Sequence, residues 1–191
     1  MKDLGDAKLL LGLQIDRLSE GLFIHQQDYA IKILHQFRMI DCKPVSTPCA
    51  PGDKFTTEQS PTTPEAKEAM KLIPYREAIG MLLFLARSTR PDILMAVISL
   101  SRFNCNPGPL HWSGIKRIIR YLKGTIDYDV MISNDENKNL TVYSDADWAN
   151  NPETRKSVSG VCMNIGNTMI SYKCKQQKVV ALSTMESELY A

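Results

Sequence analysis

Two carboxylates late in the 191-residue sequence, Asp145 and Glu188, have the residue types and surroundings of metal ligands. Asp145 ends the run Leu140-Thr141-Val142-Tyr143-Ser144-Asp145, whose period of two predicts a strand. Glu188 follows Ser183-Thr184-Met185-Glu186, a capping box that predicts a helix from about Ser183. A strand-borne Asp facing a helix-borne Glu can bring distant carboxylates together. Their hard oxygens suit Mg2+. Two such ions about 4 Å apart can activate a water and stabilise the leaving oxygen of a phosphodiester. The plainer reading makes Asp145 a turn former at a strand end, and spacing alone does not choose between them.

The second group that could do chemistry is cationic. Leu110–Lys123 reads as a helix closed by Gly124, with Ile115, Ile118, Ile119 and Leu122 on its apolar side. Lys116, Arg120 and Lys123 fall on another face at steps of four and three, with Arg117 beside them. This is either a solvated face or one that contacts phosphates and positions a duplex without reading its sequence. Net charge is only +2, but it is distributed as −1 over residues 1–64, +6 over 65–125 and −3 over 126–191. A basic middle beside an acidic end fits a polyanion track next to a carboxylate site.

Other site chemistries find little support. The five cysteines (Cys42, Cys49, Cys105, Cys162, Cys174) lack zinc-site spacing and read as free, reduced thiols. His25, His35 and His111 are scattered. The N-terminus has no basic start leading into an apolar run, and stretches such as Ala78–Ala86 and Ile93–Leu100 are too short to span a membrane. The expectation is an intracellular protein, cytoplasmic or nuclear, with no membrane partner.

The remaining elements follow from periodicity. Residues 8–26 predict a hairpin, in which the apolar run Leu9–Ile15 turns at Ser19-Glu20-Gly21 into Leu22-Phe23-Ile24. A helix follows, capped by Asp28, with Ala30, Ile33, Leu34 and Phe37 on one side. Five prolines in 41–64 predict an extended connector. Residues 65–125 read as helical: Tyr75–Arg87 with a stripe of Ile79, Leu82, Leu83 and Ala86, then a helix begun by Pro91 and running to about Phe103. Ser157–Ile165 and Thr168–Lys175 read as strands joined across Gly166-Asn167.

The ordered motifs resemble the pol polyprotein of copia-type retrotransposons along nearly the whole length. They are MKDLGDAKLLLGLQI; the Gln26–Met39 helix followed by Cys42-Lys43-Pro44 and Thr47-Pro48; Tyr75-Arg76 through Ile79-Gly80; and Thr89-Arg90-Pro91-Asp92-Ile93. Further on come Tyr121-Leu122-Lys123-Gly124-Thr125, Tyr143-Ser144-Asp145-Ala146-Asp147-Trp148-Ala149, and Ala181–Thr184 leading to Glu186-Ser187-Glu188. The resemblance implies an α+β chain. Residues 1–40 would be the end of a reverse transcriptase palm and the start of its thumb. Residues 41–64 would be a proline-rich linker and 65–125 a helical thumb and connection region holding a template–primer duplex. Residues 138–191 would be the first part of a ribonuclease H-like domain, a three-stranded antiparallel meander and its first helix.

In that family, Asp145 and Glu188 match catalytic Mg2+ ligands of a nuclease that cuts RNA in an RNA–DNA hybrid, with Asp147 a possible neighbour. Asn150-Asn151, Tyr172 and Cys174 depart from the usual residues without touching those ligands. The polymerase's paired aspartates are expected upstream of Met1 and the later ribonuclease H acids beyond Ala191, in the remainder of the polyprotein. Neither polymerase nor nuclease activity is therefore expected of this stretch alone. Three readings stay open: an enzyme fragment, a non-catalytic nucleic-acid-binding remnant using the basic helices, and the inert translation of a decayed element.

Overall fold

The computed structural model describes residues 5–134 and 138–191. Met1–Leu4, which open the first matched stretch, and residues 135–137 lie outside the described residues. The fold mixes helices with antiparallel sheet. Its strands are β1 (Leu9–Leu10), β2 (Leu13–Leu18), β3 (Gly21–His25), β4 (Val130–Ser133), β5 (Leu140–Asp147), β6 (Val158–Ile165) and β7 (Thr168–Gln176). Its helices are α1 (Gln27–Gln36), α2 (Pro64–Lys71), α3 (Tyr75–Ser88), α4 (Leu94–Ser101), α5 (Pro109–Gly124) and α6 (Thr184–Leu189). The strand orders are β1-β2-β3-β4 and β5-β6-β7. The chain divides into two compact units: residues up to Asp16 with Ile24–Val130, and Arg17–Phe23 with Met131–Ala191.

The first unit is helical and has a complete core. Ile33 and Leu34 of α1, Ile79, Leu82 and Leu85 of α3, Leu100 of α4, and Ile115, Ile118, Ile119 and Leu122 of α5 are fully buried. Tyr75 sits among them and donates from its hydroxyl to Leu100 O at 2.8 Å. Burial holds that phenol well above its ordinary range, so it stays a neutral donor. His111 is buried at the start of α5, where Nδ1 accepts from Gly108 N–H at 2.9 Å. Its Nε2 therefore carries the proton and donates to Thr56 O at 3.1 Å. The imidazole is stacked on Phe103 at 3.9 Å and works as a helix cap. Gly108 is required there, because a Cβ would lie 1.9 Å from Gln59 O.

The second unit is built on the meander. β5 pairs β6 from Leu140↔Ile165 to Asp147↔Val158, and β6 pairs β7 from Ile165↔Thr168 to Val158↔Gln176, with an irregularity at Met163/Asn164. Ser133 N–H donates to Thr168 Oγ1 at 2.9 Å. Gly21 (φ +148) is forced by crowding, since a Cβ would lie 2.0 Å from Ile132 O.

Several local expectations are corrected. The Leu9–Ile15 run is not continuous: Leu11 (φ 51) and Gly12 (φ 84) reverse it, and Leu10 pairs with Leu13. Asp28 does not cap α1. Gln26 is the N-cap, and Asp28 lies in the first turn, where its carboxylate accepts from Gln14 Nε2 at 2.9 Å and meets the helix dipole. The helix expected after Arg90 starts as a 3-10 turn at Pro91–Ile93 and ends at Ser101. On α3, Leu85 and Ala78 are buried where Leu83 is only half-buried. Gly124 is the last residue of α5 and does not stop it; Thr125 caps it by donating from Oγ1 to Tyr121 O.

Candidate functional site

The cations of α5 are held in place by the segment that precedes the helical core. Arg117 Nη2 donates to Thr47 Oγ1 at 3.0 Å, Arg120 Nε donates to Lys43 O at 2.7 Å, and Lys123 Nζ donates to Ile40 O. Lys116 is exposed. Residues 41–63, rich in proline, stay out of α-helix and sheet apart from a 3-10 turn at Thr57–Gln59, so their carbonyls need other donors. Long cationic side chains reach them while their charge remains, because carbonyls and a hydroxyl are neutral partners. The result is a positive face on which Arg117, Arg120 and Lys123 are held in position. Arg117 Nε is buried without a partner.

A second basic residue is wholly structural. Arg90, 2% exposed, grips Asp92 through Nε and Nη2 at 2.9 and 2.7 Å, and donates from Nη1 to Thr125 O at 2.8 Å. The rings of Tyr121 and Tyr128 lie 5.8 and 5.4 Å from its guanidinium carbon. Thr89 Oγ1 donates to the buried Gln26 Oε1 at 3.0 Å. The Thr89–Asp92 and Tyr121–Thr125 motifs thus meet in one knot that closes α5. Sequence reading missed this role; the signal was a lone Arg between a turn-forming Thr and a helix-starting Pro.

The carboxylates lie in the second unit. Asp145 is exposed on β5 opposite Gly160, and Glu188 is exposed on α6. α6 packs against β5, so the two residues ride on neighbouring elements. Ser183 caps α6 by accepting from Glu186 N–H at 3.1 Å, and Glu186 Oε2 accepts from Leu182 N–H at 2.7 Å. Gln177 Nε2 fastens the helix, donating to Ser187 O at 2.8 Å and Ser159 Oγ at 2.9 Å. Ser159 and Gly160 alternate, so the fastening is on one face of the sheet while Asp145 stands on the other with Tyr143 and Asp147. Asp147 accepts from Asn150 Nδ2 at 2.5 Å. Among the described residues, no group of three or more His, Cys, Asp or Glu is arranged to hold a metal ion.

Trp148 follows β5 and donates from Nε1 to Ala181 O at 3.0 Å, while Arg155, at φ 56, stacks over its ring. Burial pushes the thiols of Cys49 and Cys174 up, which disfavours their thiolate forms. Among the described residues no helix is long and apolar enough to cross a membrane.

Comparison with known proteins places the chain. The retrovirus-related Pol polyprotein from transposon TNT 1-94 of Nicotiana tabacum is 42% identical across 100% of this chain, which covers 14% of that protein. The Pol polyprotein from transposon RE2 of Arabidopsis thaliana is 35% identical across 98% of the chain, covering 12% of that protein. The chain thus spans only a small part of the two Pol polyproteins. An uncharacterised mitochondrial protein of Arabidopsis thaliana is 36% identical across the whole chain, and 76% of its length is covered. No protein-family model and no solved structure matches. On these relatives the chain belongs to the copia-type, retrovirus-related Pol polyproteins of transposons.

Proposed function

We propose that the chain comes from the reverse transcriptase/ribonuclease H region of its polyprotein family and that its helical unit holds the RNA–DNA hybrid or template–primer duplex. The observation that carries this reading is the fixed cationic face of α5. Lys116, Arg117, Arg120 and Lys123 share one helix, and three of them are anchored by neutral oxygen atoms. Anchored cations lose little side-chain entropy on meeting phosphates, and their charge is not cancelled in advance. In the same reading, β5-β6-β7 with α6 is the ribonuclease H-like part, and Asp145 and Glu188 are its ligands for Mg2+.

Their hard carboxylate oxygens suit that ion, and both residues are exposed on neighbouring elements, β5 and α6. The chain's own contribution is to bind and position nucleic acid. A second reading, a small stand-alone binding protein, is favoured by the short mitochondrial relative of which the chain covers 76%. It uses the same cationic face.

The test is binding of a labelled RNA–DNA hybrid across a salt series. The expected result is an affinity that falls steeply with salt, with a slope reduced by roughly one for each of the four cations changed to Ala. Absent or salt-insensitive binding would sink the reading.

A further inference from the structure

Segment 41–64 contains three Ser/Thr-Pro pairs: Thr47-Pro48, Ser60-Pro61 and Thr63-Pro64. Such pairs are the local sequence that proline-directed kinases accept, provided the peptide can lie extended in the kinase cleft. The structure separates the three. Ser60 ends the 3-10 turn, with its N–H bonded to Thr57 O, and Pro61 is buried. Thr63 is the N-cap of α2, its Oγ1 accepting from Ala66 N–H at 3.3 Å, and Pro64 is already helical. Either site would have to give up packed or helical structure before a kinase could take it. Thr47 is exposed and outside regular structure.

The surroundings of Thr47 also suit what a kinase would leave there. Its hydroxyl donates to Cys49 O at 2.7 Å and accepts from Arg117 Nη2 at 3.0 Å. The same guanidinium has a buried Nε–H without a partner, an arrangement that folded proteins avoid unless an acceptor is supplied. Arg120 lies one turn further along α5 and reaches Lys43 O, four residues before Thr47. The nearby acid, Asp53, accepts from Ala50 N–H at 2.9 Å.

We infer that Thr47 is a phosphorylation site for a proline-directed kinase and that Arg117 is positioned to receive its phosphate. In the transfer, Thr47 Oγ1 forms a bond to the γ-phosphorus of ATP. The bond from that phosphorus to the bridging oxygen breaks, ADP leaves, and the hydroxyl proton passes to the kinase's base. The product adds a charge of about −2 and three acceptor oxygens. Two of them can meet Nη2 and Nε of Arg117 side by side, replacing one neutral hydrogen bond with a charged, two-point contact. The bond from Thr47 to Cys49 O is lost in exchange. Phosphorylation then ties residues 40–47 more firmly to α5. It also withdraws cations from the basic face, a consequence that rests on the hybrid-binding reading, whereas the site itself does not.

The full 191-residue chain, incubated with a recombinant proline-directed kinase and ATP, gives the test by peptide mapping and thermal unfolding. One phosphate is expected, on Thr47, with incorporation at least tenfold lower in Thr47→Ala. The unfolding midpoint should rise by about 2–4 °C, return after phosphatase treatment, and not rise in phosphorylated Arg117→Gln. If Arg117→Gln does not fold, Arg117→Lys serves instead and should show at most half the rise, since an ammonium cannot make the two-point contact. Equal or greater labelling of Ser60 or Thr63 would overturn the proposal. So would no labelling of Thr47, no rise in the parent chain, or a rise that Arg117 variants leave intact.

Discussion

The helical unit buries a large apolar core, whereas the sheet unit buries little apolar side chain beyond Val158 and Ala181. In the first, Ile33, Leu82, Ile115, Ile118 and Leu122 are 0% exposed. In the second, Leu140 is 63%, Leu182 86%, Met185 80% and Leu189 85% exposed, while Val158 and Ala181 are buried. Apolar area removed from water is the main source of stability. The cationic face of α5 therefore stands on a self-supporting scaffold, whereas Asp145 and Glu188 stand on a sheet and a six-residue helix with little core of their own. What the chain can do unaided should follow the better-packed half.

Core truncation should break the comparison open with the largest effect. Ile118→Ala should cost about 2–5 kcal/mol in urea unfolding of the helical unit. Val142→Ala, at an exposed strand position, should change stability by no more than about 0.5 kcal/mol. Similar costs at both sites would mean that the two halves are equally packed.

Arg90→Ala comes next, at about 3 kcal/mol, the low end for breaking a buried ion pair because Asp92 keeps part of its surface in water. Arg90→Lys should recover little of this, since an ammonium cannot grip Asp92 and Thr125 together. A near-neutral Arg90→Lys, again by urea unfolding, would show that the knot does not hold the end of α5.

Asp129 offers a smaller probe. Burial, which outweighs the Gln27 hydrogen bond and the charges of His25 and Arg90, raises its carboxyl above the ordinary range, and its Oδ1 is buried without a partner. The folded state therefore holds the proton more tightly than the unfolded chain. The penalty for ionising it grows as pH climbs from the ordinary carboxylate value through the raised one. Asp129→Asn should make stability less dependent on pH across that window, as followed by thermal unfolding at stepped pH. An unchanged pH profile would show that Asp129 is not the source.

The smallest change is Arg38→Gly. Arg38 follows α1 at φ 52, with its N–H bonded to His35 O and Met39 N–H to Leu34 O, a helix end that favours glycine. A gain of about 0.5–1 kcal/mol is expected from relief of the left-handed conformation, read from the urea midpoint.

Much of this was legible in the sequence. Alternation and Gly166-Asn167 give the meander to within a residue or two, and the apolar stripe of Ile115, Ile118, Ile119 and Leu122 gives α5. Both signals are local, and local periods survive folding. The reversal at Leu11-Gly12 was hidden because an apolar run does not announce a turn. The anchoring of Arg117, Arg120 and Lys123 was hidden because their partners lie 70 to 83 residues away. The bonds that fasten α6 to the sheet were likewise hidden, because they come from Gln177, a polar residue with no pattern to mark it. Asp145 could be assigned to a strand and Glu188 to a helix from the sequence alone.

The most direct test of the account is a hydrogen-exchange footprint of the full chain with and without an RNA–DNA hybrid. Hybrid should slow exchange in α5 and in residues 40–47, and Lys116→Ala combined with Arg120→Ala should weaken the effect. No protection, or protection confined to β5–β7 and α6, would contradict the assignment of nucleic-acid handling to the helical unit.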